Sequence, residues 1–367
     1  MALPVLFKEI SDDLGLSLVQ IGAIWGMGSL TGILTALIGG TISDRYGTRR
    51  TITVACFLIG LIGALRGFTT DFATLSAVVL LYGFLTPAVP TNIHKVCGIW
   101  FPRKQMGLAN GVVAMGMALG FMVGSMISAT VMSPLLGGWR NVLIFYGSLA
   151  VFMGVLWHFT RSTPTELIQP SPEGAELSLR EGFSQTIRIK RIWLLGLVLM
   201  GFSGCIQGTL GYLPLYLRGI GWPEARADGA LASFHAFSMF FVIPLALLSD
   251  RLGRRKPLLL VIAFVTTIGI GMLSIATNAM VWPLVMLTGL FRDGFMAIFM
   301  TTVIETRKLA SYTLGTALGL VRVLSSIGGL ISPPLGNSLA VINLSTPFLF
   351  WAGLAGIAFF ALLFVED

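Results

Sequence analysis

The chain is poor in charge, in acidic residues above all, and in cysteine and histidine. Of its 367 residues only 11% are charged and 16 are Asp or Glu, where a soluble domain carries about 25% charge. Hydrophobic residues make up 55% and the mean hydropathy is +0.87. The polar residues are too few to cover one soluble core. This excludes a soluble enzyme or nucleic-acid module, despite a net charge of +8 and a pI near 9.8. The three cysteines, Cys56, Cys97 and Cys205, lie far apart and form no CxxC pair. An odd, scattered set argues against both a disulfide scaffold and a zinc site. Each falls in or beside an apolar run and reads as a small buried hydrophobe. There is no Gly-x4-Gly-Lys-Ser/Thr phosphate loop, no cluster of metal ligands and no nucleophile elbow. No cofactor and no enzymatic activity are expected, and ATP-driven work would need a separate chain.

What the sequence does contain is eleven apolar runs. They are Leu18–Ile42, Thr51–Gly67, Ala73–Ile93, Gly107–Met132, Val142–Thr160, Trp193–Leu217, Gly229–Leu248, Pro257–Thr277, Trp282–Ile304, Tyr312–Gly336 and Phe348–Phe364. About 20 apolar residues cross a bilayer as a helix. Barrel strands would alternate over about 10 residues, which these runs do not do. The long polar break, Arg161–Ile192, contains Pro164, Pro170 and Pro172 and separates five upstream runs from six downstream. The expected organisation is an N-terminal bundle over residues 1–160, a central linker over 161–192 and a C-terminal bundle over 193–367.

The basic residues then report topology. Arg45, Arg49 and Arg50, Lys95, Arg103 and Lys104, the linker cations, Arg251 to Lys256, and Arg307 and Lys308 fall on one side, 17 of the 24 in all. Only Lys8, Arg66, Arg140, Arg218 and Arg226 fall on the other. The excess of Lys and Arg on cytoplasmic loops makes the crowded side cytoplasmic. It also puts the C-terminus, Glu366-Asp367, in the cytoplasm of a multi-pass cell-membrane protein. Near the outer end of its run, Arg66 reads as a snorkelling residue.

The sequence repeats internally. Gly40-Thr-Ile-Ser-Asp44-Arg45-Tyr-Gly47-Thr-Arg49-Arg50 matches Ala246-Leu-Leu-Ser-Asp250-Arg251-Leu-Gly253-Arg254-Arg255-Lys256 at an offset of 206 residues. The same offset relates Gly83 to Gly289, and Gly111-x8-Gly120-x3-Gly124-Ser125 aligns with Gly319-x8-Gly328-x3-Ser332-Pro333 at 208. Leu213-Pro214 closes the sixth run 37 residues before Asp250, and Leu3-Pro4 stands 41 residues before Asp44. On this reading the chain begins where a first helix should be ending, and the counterpart of Trp193–Tyr212 is missing. Eleven of twelve transmembrane helices are expected, with a misassigned start as the simplest cause.

The Asp44–Arg50 loop resembles the signature Gly-x-Leu-Ala-Asp-Arg-x-Gly-Arg-Arg of the major facilitator superfamily, and Asp250–Lys256 resembles its second-half copy. Trp100-Phe-Pro-Arg-Lys104 and Gly138-Trp139-Arg140 are similar to that superfamily too. The resemblance implies an all-α membrane protein of two pseudo-symmetric six-helix bundles. The substrate site then lies between them near the midplane and is reached alternately from each side. It also implies that Asp44 and Asp250 each dock on a helix of the opposite half. With Gly40, Arg45, Gly47, Arg49, Arg50, Arg251, Gly253, Arg254 and Arg255 they would form conformational latches rather than substrate ligands, and Glu305 would either pair with Arg254 or Arg255 or remain solvated. Three positions depart from the family pattern. Thr48 replaces a basic residue, Val79–Gly83 lacks an expected arginine, and Ser125 replaces the proline of the antiporter motif; the last counts against proton-driven drug export.

Ionisable residues within spans are functional candidates because burying them unpaired is costly. Arg292 and Asp293 lie mid-span in one run and Arg322 in the next. In one reading Arg322, together with Arg292, holds an anionic substrate by bidentate hydrogen bonds. Asp293 then tunes the site or couples protons. In the other, Arg292–Asp293 or Asp293–Arg322 is a neutralising pair that only fixes packing. Adjacent helical residues point about 100° apart, so Arg292 and Asp293 are not expected to face one cavity squarely. His235 is a further candidate for substrate binding or proton relay, or else a helix contact. Gln207 and Tyr212 offer polar atoms at helical spacing.

The functional expectation is a secondary transporter of a small organic or inorganic anion, working by proton symport or exchange. It would act as a monomer in the lipid bilayer, with a small-molecule substrate and no nucleic-acid partner. The alternatives are a proton-coupled exporter of hydrophobic solutes and an inactive fragment.

Overall fold

The structure is a computed structural model that describes residues 1–31, 47–160, 186–305 and 314–365. The first half contains α1 (Ala2–Leu14), α2 (Leu18–Leu30), α3 (Thr48–Leu65), α4 (Phe72–Leu85), α5 (Ala88–Trp100), α6 (Arg103–Ile127) and α7 (Trp139–His158). The second contains α8 (Lys190–Gly219), α9 (Glu224–Leu252), α10 (Arg255–Met272), α11 (Asn278–Ile304), α12 (Leu314–Ser338) and α13 (Thr346–Leu363). Among the described residues, ten helical segments are long and apolar enough to cross a membrane. They match ten of the eleven runs. The remaining run, Leu18–Ile42, is represented by α2, a shorter apolar helix that reaches the edge of the described residues. Of the linker expected over 161–192, residues 161–185 lie outside the described residues, as do the motif residues Gly40, Asp44 and Arg45, and its last three residues belong to α8.

Local chemistry sets the helix ends. Ser17 opens α2 with a capping box, accepting from the Gln20 N–H while the Gln20 side chain accepts from its own. Asp71 opens α4 the same way with Thr74, and the bond from the Thr74 N–H holds the Asp71 carboxyl below its ordinary range. The span from Phe72 to Trp100 breaks at Thr86-Pro87, where proline supplies no backbone donor. Gly253 ends α9 at φ +63° and Gly47 precedes α3 at φ +82°. The motif-loop glycines are needed because other residues rarely adopt this backbone.

The N-terminal helix corrects one expectation. Matching helix ends, Leu14 with Gly219, gives an offset of 205 and places Ala2 opposite Gln207. Leu3-Pro4 therefore lie inside α1 rather than at its end, and α1 corresponds to the outer part of α8. Its 13 residues span about 20 Å. Val5, Leu6, Phe7 and Ile10 are fully buried. Its acids tie it to the next helical pair: Ser133 Oγ donates to Glu9, and both Trp139 Nε1 and the Arg140 guanidinium donate to Asp13 Oδ2. This accounts for the Gly-Trp-Arg motif at the start of α7.

The loops rich in Lys and Arg, including those that open α3 and α10, lie on what is here called the basic face; α1 ends and α2 begins at the opposite face. Close contact between the halves lies on the opposite-face side. There α2 runs antiparallel to α12 along Leu18, Gly22 and Gly26. A Cβ on Gly22 would stand 2.7 Å from the Pro333 carbonyl oxygen, and one on Gly26 only 2.4 Å from that of Leu330. The Gly-x3-Gly spacing lets the backbones touch, as small residues do between membrane helices. Three hydrogen bonds join the halves in the same region. Asn337 Nδ2 donates to the Leu18 carbonyl at 2.8 Å, Trp25 Nε1 to the Gln207 carbonyl at 2.7 Å and Arg218 to the Val5 carbonyl at 2.8 Å.

Candidate functional site

A cavity of about 290 Å³ lies between the halves, halfway along the spans. Four helices line it, three of them with residues three or four apart on one face. From α8 come Phe202, Ser203, Ile206 and Gln207; from α11, Arg292, Asp293 and Met296. From α12 come Arg322, Ser325, Ser326 and Gly329, while α2 adds Gly28 and Ser29. One wall is apolar, through Phe202, Ile206 and Met296. The rest is hydroxyl, amide and charge.

The three mid-span charges meet here. Arg292 Nη1 lies 3.3 Å from Asp293 Oδ1. Ser238 Oγ, from α9, donates to Asp293 Oδ2 at 2.6 Å and accepts from the Asp293 N–H at 3.2 Å. Both carboxylate oxygens of Asp293 are thus engaged. Arg292 and Asp293 both line the cavity despite their angular separation, because the long arginine side chain folds back toward its neighbour. Arg322 is different: no described acidic side chain pairs with it, and it is exposed toward the cavity. The packing-pair reading therefore applies to Arg292 and Asp293, and an Asp293–Arg322 pair is absent from the described contacts.

Other candidates have different surroundings. Gln207 lines the cavity, and its backbone carbonyl receives the Trp25 indole N–H. His235 is 1% exposed, and neither ring nitrogen has a hydrogen-bond partner. Its ring packs against Phe121 of α6, 5.6 Å away, behind the cavity wall. Tyr212 points away from the cavity. Its hydroxyl donates to the Leu344 carbonyl at 3.0 Å, and its ring joins Tyr216, Phe348 and Trp351. Helical spacing alone did not reveal that this face of α8 meets α13. Arg66 does not snorkel. It is 6% exposed, donates to the Gly63 carbonyl and lies 3.9 Å over the Tyr82 ring, a cation–π contact.

On the basic face, Arg255 grips Glu305 with two bonds, Nε to Oε2 at 2.7 Å and Nη2 to Oε1 at 2.8 Å. The same guanidinium reaches Asp250 Oδ1 at 3.2 Å. This bonding holds the Glu305 carboxyl below the usual carboxylate range. Asp250 consequently pairs within its own loop instead of docking on the opposite half, and Arg254 is not the partner of Glu305. Arg49 donates to the Thr160 carbonyl at 3.2 Å, while Arg50, Arg251 and Arg254 are exposed.

One pair escaped the reading of the sequence. Arg218 Nη2 lies 2.7 Å from Asp228 Oδ1, with side chains 6% and 0% exposed. The available signal was an acid entering an apolar run ten residues after an arginine that closes the previous one.

The description Major Facilitator Superfamily belongs to the family model that matches residues 1–311 and 230–367. A hexuronate transporter of Bacillus subtilis (strain 168) is 25% identical, the match covering 99% of this chain and 89% of that one. A protein described as a probable nitrate/nitrite antiporter of Thermus thermophilus is also 25% identical, over 98% of this chain and 83% of its own. The probable sulfoacetate transporter of Cupriavidus necator is 22% identical, over 97% and 87%. Among solved structures, the nucleoside transporter NupG superposes with a TM-score of 0.81 at 12% identity, covering 100% of this chain and 95% of that one. A bacterial homologue of the human lysosomal transporter Spinster gives 0.71 at 16%, covering 99% and 90%. At such identities the structural likeness shows the fold alone: two pseudo-symmetric helical bundles. The chain is a multi-pass membrane protein, a transporter rather than an enzyme, and belongs to the major facilitator superfamily.

Proposed function

We propose that this protein is an alternating-access secondary transporter of small anions, and that Arg322 is the residue that holds them. The observation that carries the reading is the unpaired guanidinium in a cavity between the two halves, midway across the membrane. Such a charge is costly unless hydrated or matched by a ligand. Guanidinium matches carboxylates and related oxyanions with two parallel bonds. The names of the similar proteins, hexuronate, nitrate/nitrite and sulfoacetate transporters, support the same class. A hydrophobic-solute exporter would not be served by this charged, hydroxyl-rich wall.

The positive-inside rule makes the basic face cytoplasmic, with the C-terminus on that side of the cell membrane. The close packing of α2 on α12 then closes the outer side, and this conformation faces inward. Asp44 and Asp250 are latches for the other state: closing the basic face would take Asp250 from Arg255 to the opposite half. Asp293 and His235 serve coupling, Asp293 by exchanging partners among Arg292, Ser238 and a proton. The test is uptake by purified protein in liposomes, with an inside-alkaline pH gradient, of D-glucuronate, nitrate and sulfoacetate against D-glucose. Accumulation of at least one anion is expected; accumulation of D-glucose alone would reject the proposal.

A further inference from the structure

Resting on the anion-transport reading, the charge balance and hydroxyl content of the cavity narrow the substrate. We infer that this protein takes a hydroxylated organic acid carrying a single negative charge, in preference to dianions and to anions without hydroxyls.

The residues lining the cavity contribute two guanidinium groups, Arg292 and Arg322, and one carboxylate, Asp293. Both oxygens of Asp293 act as acceptors, one toward Ser238 and one toward Arg292. Arg292 is thereby compensated, and among the described lining residues one positive charge, Arg322, remains. A ligand with one carboxylate brings the cavity to neutrality. Once the site closes around the ligand, a second carboxylate would find no further cation among the described lining residues, and desolvating an unpaired charge is strongly unfavourable. A neutral polyol would leave Arg322 unmatched.

The hydroxyl requirement follows from the rest of the wall. Ser29 projects from the first half and Ser203, Ser325 and Ser326 from the second, beside Gln207. Each serine hydroxyl both donates and accepts, and the amide does the same with separate atoms. Ser325 Oγ donates to Ser203 Oγ at 2.7 Å. A hydroxylated ligand replaces such bonds in kind. An unsubstituted alkanoate displaces water and leaves these groups unpaired, and a site built to bond a hydroxyl rejects analogues lacking it far more strongly than a hydrophobic pocket rejects an extra methylene. The volume, about 290 Å³, suits a molecule of sugar size rather than a small inorganic ion.

A six-carbon series separates the variables. D-Glucitol, D-gluconate and D-glucarate share a hydroxylated skeleton and carry zero, one and two carboxylates; hexanoate has one carboxylate and no hydroxyl. Uptake of each by the full chain in proteoliposomes at pH 7, with nitrate as a fifth probe, should favour D-gluconate by tenfold or more. Asp293→Asn raises the net cavity charge by one. It should move selectivity toward D-glucarate by about tenfold relative to D-gluconate, with foldedness checked by size-exclusion profile. Wild-type uptake of D-glucarate equal to that of D-gluconate overturns the charge assignment, whatever the variant does. Hexanoate matching D-gluconate, or nitrate uptake with none of the other four, overturns the hydroxylated class and leaves the anion reading standing. Uptake of D-glucitol alone overturns both.

Discussion

Arg218 and Asp228 form a buried ion pair at 2.7 Å, and the same guanidinium donates to the Val5 carbonyl across the boundary between the halves. The pair is incompletely satisfied, since Asp228 Oδ2 and Arg218 Nε have no partner. It joins α8 to α9 within the second half and ties both to α1 of the first. A side chain placed this way must release Val5 when the opposite face opens.

Asp228→Asn leaves Arg218 buried without its counter-charge. Breaking such a pair costs about 3–5 kcal/mol. The thermal midpoint of the purified protein should fall markedly, and a cysteine probe near Leu18 should label faster. Arg218→Gln combined with Asp228→Asn should cost less than the sum of the two single changes. Strict additivity would contradict the pairing.

The α2–α12 contact leaves no room for side chains. Gly26→Val places new carbon atoms against the Leu330 backbone, which cannot rotate away, and Gly22→Val does the same at Pro333. Each should shift the protein toward a state open at the opposite face, seen as faster labelling there and slower labelling at the basic face. Gly353→Ala, on α13 with no atom near the added Cβ, should change neither rate.

Glu305 carries a pH dependence whose sign is fixed. Its folded-state pKa is depressed by Arg255, so the stabilisation is full above the unfolded carboxyl value of about 4.3 and is lost as pH falls through the folded value. Both partners are partly solvated, so the effect is about 1 kcal/mol or less. Hydrogen exchange at the start of α10 should accelerate below that pH in the native protein. Glu305→Gln should show fast exchange at all pH values, with no acid step.

Tyr212 serves α13 rather than the cavity. Tyr212→Phe removes one buried hydrogen bond, worth about 1 kcal/mol, and leaves the aromatic cluster in place. Stability should drop by roughly that amount with no change in apparent affinity for the transported anion. A weakened affinity at unchanged stability would return Tyr212 to the transport path.

The spans were legible because lipid demands about 20 apolar residues per crossing, and that demand is local. Arg292, Asp293 and Arg322 were legible for a related reason: charge inside such a run stands out whatever its partners are. Which of them pair was not legible, because it depends on how α9 brings Ser238 to Asp293 and on the side-chain reach of Arg292. The same holds for Arg66, whose place over Tyr82 is set by α4, and for Tyr212, turned toward α13. Asp250 could be read as a motif residue, but its contact with Arg255 depends on how the loop folds onto the start of α10, which is not written in the loop's composition. The offset that misplaced Leu3-Pro4 compared two Leu-Pro pairs by chance similarity; helix ends, fixed by capping and turns, align α1 with α8 more faithfully.

Direct binding to Arg322 is the central claim. The sharpest measurement compares uptake and anion-dependent thermal stabilisation of the native protein with those of Arg322→Gln and Arg322→Lys, using D-gluconate. Arg322→Gln should lose at least tenfold in apparent affinity while remaining monodisperse, because the one uncompensated cation has gone, and Arg322→Lys should recover part of the loss by keeping charge without the bidentate fork. Uptake and stabilisation by D-gluconate that persist at native levels in Arg322→Gln would show that the anion is held elsewhere.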